Sequence, residues 1–222
     1  MKKLFSVKSI AVLAVFSAIA YALMFVSRYL PPLIPAVPFL KYDPKDFVIV
    51  IVGFLFGPLG AFLVTVVVSL LEFITVSGTG IIGLVMNVLS TSFFVLPAAI
   101  IYRMKRTTVG AVLGLTAGVI LMTLIMLLWN YLITPLYMTV SREAVAKMLL
   151  PAFLPFNLIK AGLNMAFALL TYKPIVSVLR KTHVLPESTA DPNRKFAVWV
   201  PVLGAVLLIS GILLILVFRG VF

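Results

Sequence analysis

The sequence predicts an all-α polytopic membrane protein. Three observations carry this. The chain is 63% hydrophobic and 11% charged over 222 residues, with a mean hydropathy of +1.24, a composition outside the range of soluble domains. Its apolar runs are long enough to cross a bilayer and are separated by short caps rich in Lys and Arg. No polar stretch is long enough to form a separate globular domain.

The elements follow in order. "MKKLFSVKSIAVLAVFSAIAYA" resembles a signal peptide, with lysines, an apolar run and a small-x-small site at Ala20–Ala22. The apolar run continues through Phe25 and Val26, so a retained first span over 9–27 is expected, with cleavage the minority reading. The connection "YLPPLIPAVPFLKYDPKDF" (29–47) holds four prolines in eight residues and is expected to be stiff and extended. Asp43 and Asp46, beside Lys41 and Lys45, read as a surface charge cluster in preference to a metal site.

The next apolar run, 47–76, is too long for one ordinary span and too short for two. "FGPLG" (56–60) divides it, because Pro58 removes a helix hydrogen bond and Gly57 and Gly60 permit a turn. The expectation is a short helix over 47–56 and a longer one over 59–76. Further spans are expected over 81–102, 109–133, 151–173 and 197–218, seven helices in all. Residues 182–196, "THVLPESTADPNRKF", form a polar linker in which His183 reads as a solvated side chain. The division is therefore 1–181 as a membrane domain, 182–196 as a linker and 197–222 as an appended helix.

Charge sets the sidedness. With the N-terminus cytoplasmic and 47–76 divided, eleven Lys and Arg fall inside and six outside, with Lys160 left in the membrane. That satisfies the positive-inside rule. An undivided run with an external N-terminus scores equally well, and the basic flank of the first helix favours the divided reading. The formal charge of +12 suits headgroups and topology better than nucleic acid, since it sits in short caps.

Polar residues inside the spans point to a binding site. Four of the five asparagines lie there, Asn87, Asn130, Asn157 and Asn164, together with Lys160. A lysine near a helix centre costs about 2.5–3.5 kcal/mol on insertion scales, so it demands compensation. Any one asparagine reads first as interhelical glue, for roughly 1 kcal/mol. Four with a lysine are harder to assign to packing alone. Asn87, Asn130, Asn157 and Lys160 fall roughly 5–14 Å below the outer helix ends. Asn157, Lys160 and Asn164 share one face at i, i+3, i+7. This describes a pocket open to the outside beneath the 29–47 connection, with Asn164 as either its floor or glue. Glu72 reads as the marker of a wet helix end near Ser77, with pairing to Lys160 as the alternative.

Two small-residue ladders permit close helix approach: Ala14, Ala18, Ala22 and Gly110, Gly114, Gly118. The first is a candidate face for a partner protein, or else for internal packing. "GTGIIG" (78–83) matches a dinucleotide fingerprint but joins two membrane helices without the acidic residue that should follow. No Walker A motif, catalytic triad, paired catalytic carboxylates or metal-ligand cluster is present, so no enzyme activity, metal or cofactor is expected. The chain has no cysteine.

"FLKYDPKDF" followed by "GFLFGP", then "GLVMNVLSTSFFVLPA", "WNYLITPLY" and "LLPAFLPFNLIKAGLN", resemble the riboflavin-specific substrate-binding subunit (S component) of energy-coupling factor (ECF) transporters. The resemblance covers about 1–180. It implies a six-helix bundle in a prokaryotic cell membrane, N-terminus cytoplasmic, with riboflavin held near the outer face. Flavin mononucleotide is a second candidate ligand. It also implies a separate transmembrane coupling protein and two ATPase subunits as partners, docked through a motif similar to the Ala14, Ala18, Ala22 ladder. Carried over by motif, the substrate contacts are Asn130, Asn157, Lys160 and the backbone around Leu40, Lys41 and Tyr42. Asn87 and Asn164 join them by depth and phase. Phe153, Phe156, Trp129 and Tyr131 are candidates for the flavin ring. The 197–218 helix departs from the six-helix pattern. The alternatives are an S component for another vitamin and a non-transport membrane scaffold.

Overall fold

The computed structural model describes residues 4–35, 37–138, 140–181 and 199–221; the expected linker and His183 lie outside these. The elements are α1 Val7–Ser27, α2 Lys45–Phe56, α3 Pro58–Thr75, α4 Gly80–Lys105, α5 Thr108–Met138, α6 Arg142–Met148, a π-turn Leu149–Phe153, α7 Leu154–Lys181 and α8 Trp199–Phe218. Among the described residues, six helical stretches are long and apolar enough to cross a membrane: α1, α3, α4, α5, the α6–α7 unit and α8. Side chains such as Val15, Ile19, Val67, Ile100 and Leu124 are exposed on their outer faces, as lipid-facing positions require.

The break at "FGPLG" is where the sequence places it. Gly57 joins α2 to α3 at φ +83°, a left-handed conformation that favours glycine, and Pro58 occupies the first position of α3. The resulting α2 has 12 residues and spans only about 18 Å. It is apolar on every side, and Val48 through Val52 are all buried. It packs against α1, α3, α4 and α7, so it is an interior half-length helix and not a lipid-facing one.

The glycine ladder of α5 is internal packing. A Cβ on Gly118 would stand 2.2 Å from the Phe94 carbonyl oxygen, and one on Gly114 2.8 Å from that of Ala98. The alanine ladder behaves differently: Ala14, Ala18 and Ala22 are all exposed on α1.

Two differences from expectation concern the α5–α7 region. The helix of α5 runs through Pro135 to Met138. The chain is then helical again from Arg142, well before the expected start at 151. Ser141 caps α6 by accepting from the Ala144 N–H at 3.2 Å, with Glu143 in the first turn. The π-turn that follows contains Pro151. Proline lacks an N–H and its ring crowds the carbonyl four residues back, and widening the turn relieves both.

Candidate functional site

The C-terminal end of α1, the 28–44 loop, the α3–α4 turn, the last third of α5 and the N-terminal part of α7 meet at one end of the bundle. They enclose a cavity of about 320 Å³, at the lower end of the range for small-molecule sites. The 28–44 loop supplies Phe39, Leu40, Lys41, Tyr42 and Asp43; α4 gives Asn87 and Ser90; α5 gives Met126 and Asn130; α7 gives Phe156, Asn157 and Lys160. Seven of the eight residues expected at the site therefore line one cavity.

Asn164 does not. It is fully buried behind the cavity wall and joins α7 to the start of α2. Its amide NH2 donates to the Asp43 carbonyl at 3.1 Å and the Lys160 carbonyl at 3.0 Å, while its oxygen accepts from the Phe47 N–H at 3.1 Å. These bonds satisfy backbone groups where the loop enters the membrane helix, so Asn164 is glue.

The amides on the cavity wall are only partly engaged. Asn157 donates to Phe153 O at 2.8 Å, and Asn130 donates to Met126 O at 2.7 Å while accepting from Thr134 Oγ1 at 3.0 Å. Each NH2 keeps a second hydrogen. Asn87 makes no side-chain hydrogen bond among the described residues. The Tyr42 hydroxyl and Ser90 Oγ are buried without a hydrogen-bond partner among them. Burial, reinforced by Asp43 and Asp46, pushes the Tyr42 phenol far above its ordinary pKa, so it stays a neutral O–H. Polar groups left unmatched at a cavity wall are what a polar ligand would satisfy.

The charges in and behind the cavity wall correct two expectations. Asp43, Lys45 and Asp46 are buried and form no surface cluster. Lys45 Nζ, with its side chain 1% exposed, pairs with Asp43 and with Glu72 Oε2 at 2.8 Å. Glu72 also pairs with Arg28. It is thus a buried structural carboxylate and no mere marker of a wet helix end, and its cationic partners are Lys45 and Arg28. Burial alone would raise the Asp43 carboxyl, but Lys45 and Lys160 outweigh it and hold Asp43 below the ordinary carboxylate range. Lys160 Nζ faces Asp46 Oδ2 at 3.8 Å, and Asp46 Oδ1 accepts from Thr91 Oγ1 at 2.7 Å. Three cations, Arg28, Lys45 and Lys160, meet three acids, Asp43, Asp46 and Glu72. The set is formally neutral, which is how a low-dielectric site tolerates six ionisable groups.

Of the aromatic candidates, only Phe156 lines the cavity. Phe153 is buried in a cluster below the loop, with its ring 6.1 Å from that of Phe39. Trp129 packs against the main core. Tyr131 turns outward, under the Arg142 guanidinium at 5.6 Å. The lining residues that sequence reasoning missed include Met24, Arg28, Phe39, Asp43, Glu72 and Met126. The methionines among them are indistinguishable from core residues in a membrane helix, and the charged ones read as loop or helix-end groups.

A family description, the substrate-specific component of ECF transporters, matches residues 8–172. The chain belongs to this family. As an S component it is similar to "Riboflavin transporter FmnP" of Bacillus subtilis (strain 168), 30% identical over 190 residues, covering 80% of this chain and 98% of that protein. It is also similar to "Riboflavin transporter RibU" of Streptococcus thermophilus, 32% identical over 184 residues and covering 78% and 85% of the two chains. A solved S component of a bacterial ECF transporter superposes with a TM-score of 0.65 at 29% identity, covering 77% of this chain and 96% of the other. The family match of this S component stops short of α8.

Proposed function

We propose that this S component binds riboflavin at the outer face of a bacterial cell membrane and delivers it to a separate coupling protein driven by two ATPase subunits. The observation that carries the reading is the convergence of Asn87, Asn130, Asn157, Lys160 and the Leu40–Tyr42 segment on one cavity. The pyrimidine edge of a flavin alternates acceptors and donors, which side-chain amides match with C=O and NH2. Lys160 offers three donors to carbonyl or ribityl oxygens, and Phe156 and the methionines Met24, Met86 and Met126 suit the tricyclic ring. The names of the relatives support the choice of vitamin.

Lys41 lines the cavity without an acidic partner among the described residues. A phosphate ester at the ribityl end would find it, so flavin mononucleotide is the second ligand of this reading. The exposed alanine ladder of α1 is the face for the coupling protein, and hydrolysis of ATP belongs to the other subunits.

The N-terminus is cytoplasmic in this reading, and the cavity end faces outward. Flavin absorbance in protein purified from a riboflavin-containing medium tests the ligand; a colourless preparation that also fails to quench added riboflavin would refute it. Impermeant thiol labelling in intact cells tests the orientation: Glu143→Cys should react and Thr107→Cys should not.

A further inference from the structure

We propose that α8, the helix beyond the family match, braces the loop over the binding cavity, and that Arg219 at its end is a positioning residue for that loop. Arg219 Nη2 donates to the Pro32 carbonyl at 2.9 Å, a contact across 187 residues of chain between the last helix and the 28–44 loop.

The local sequence explains why α8 stops there. Gly220 takes φ +70°, its N–H reaches Val217 O at 3.0 Å and the Val221 N–H reaches Leu216 O at 3.1 Å. These are the two bonds of a Schellman termination, which glycine makes possible. The helix therefore ends with Arg219 level with the loop.

The placement of α8 along α7 is equally specific. A Cβ on Gly204 would meet Leu170 at 3.0 Å, and one on Gly211 would meet Leu163 at 2.7 Å. As the number rises on α8 it falls on α7, so the two helices are antiparallel, and glycine allows the close approach. Leu208, midway along α8, and Ile215, nearer its loop end, pack against a buried cluster that joins Leu33, Ile34, Val37 and Leu40 of the loop to Phe156, Ile159 and Leu163 of α7. One face of α8 thus packs on α7 and on the apolar cluster that α7 shares with the loop, and Arg219 reaches the loop's backbone. The loop residues Leu40 to Tyr42 line the cavity. Holding the loop in its cavity-lining position reduces the ordering cost of binding and slows escape of the occupant. The ligand part of this inference rests on the riboflavin reading; the bracing of the loop does not.

The experiment uses the full chain in nanodiscs, as wild type, Arg219→Ala, Arg219→Lys and Gly211→Leu, the last chosen to push α8 away from Leu163. Hydrogen exchange in ligand-free protein reads the loop directly, through amides such as Val37 and Leu40 that hydrogen-bond within it. Stopped-flow fluorescence reads riboflavin association and dissociation. In Arg219→Ala, loop exchange and riboflavin dissociation should each accelerate about threefold to tenfold, the net range of one ordinary hydrogen bond, because this contact is exposed to solvent. Association and melting temperature should hardly change, and Arg219→Lys should restore most of the effect. Gly211→Leu should accelerate both processes further. Unchanged loop exchange in both Arg219→Ala and Gly211→Leu would overturn the brace. Faster exchange spread evenly through α4 and α5, with a lower melting temperature, would overturn it too and make α8 general support. Faster loop exchange with unaltered dissociation would overturn the retention role. Wild-type protein that binds no riboflavin would refute the ligand reading, and the exchange data would still decide the brace.

Discussion

Lys160 on α7 and Asp46 at the start of α2 face each other, Nζ to Oδ2, at 3.8 Å across the inner wall of the cavity. The pair explains how a lysine is kept inside an apolar helix without a ligand. At that separation the charges attract but no direct hydrogen bond forms. The ammonium donors remain directed at the cavity while Asp46 is held from behind by Thr91.

Replacing Lys160 by Met should therefore do two things. It removes donors to the ligand, weakening riboflavin binding about tenfold to a hundredfold, the cost of roughly 1–3 kcal/mol for a lost bond to a buried group. It also leaves Asp46 buried without its nearest cation, which should lower the melting temperature. Adding Asp46→Asn should recover stability without recovering affinity. Titration by flavin fluorescence quenching, run beside thermal unfolding, separates the two effects. Affinity equal to wild type in Lys160→Met would remove the lysine from the site.

The asparagines of α7 should divide. Asn157 bonds only one turn back along its own chain, to Phe153 O in the adjoining π-turn, so Asn157→Leu should keep the melting temperature near wild type while cutting riboflavin affinity at least about tenfold. Asn164 joins two elements through Asp43 O and Phe47 N. Asn164→Leu should cost about 1–3 kcal/mol of stability for each buried group it strands, and binding should fall with it. Equal melting temperatures for the two variants would contradict this assignment.

This division marks how far the sequence carried. The depth and phase of Asn87, Asn130, Asn157 and Lys160 were enough to place them on one cavity, because helix rise and period fix depth and face. The Gly57–Pro58 break was legible for the same local reason. The buried charge set was not. Asp43, Lys45 and Asp46 in a proline-rich stretch look solvated, and their partners Glu72, Thr91 and Lys160 lie far along the chain. The helix α6 was missed because its exposed polar residues carry no membrane signal.

The exposed ladder of α1 separates a docking face from internal packing. Ala18→Leu adds three carbons at a position that touches lipid or a partner. The isolated variant should melt and bind riboflavin as wild type does. In contact with a coupling protein, overpacking of this kind costs about 1–3 kcal/mol. Co-purification with the coupling subunits, and uptake in cells, should therefore drop sharply. Joint loss of stability and binding in the isolated variant would return the ladder to the bundle's own packing.

The central claim is that the cavity enclosed by the 28–44 loop, α4, α5 and α7 holds a flavin. Equilibrium titration of purified, ligand-free protein with riboflavin, comparing wild type with the Asn157→Leu variant, tests it most directly. The account predicts saturable quenching with one site per chain in wild type and a loss of affinity of at least about tenfold in Asn157→Leu, with the melting temperature unchanged. Absence of saturable quenching in folded wild-type protein, or equal affinity in the two, would contradict it.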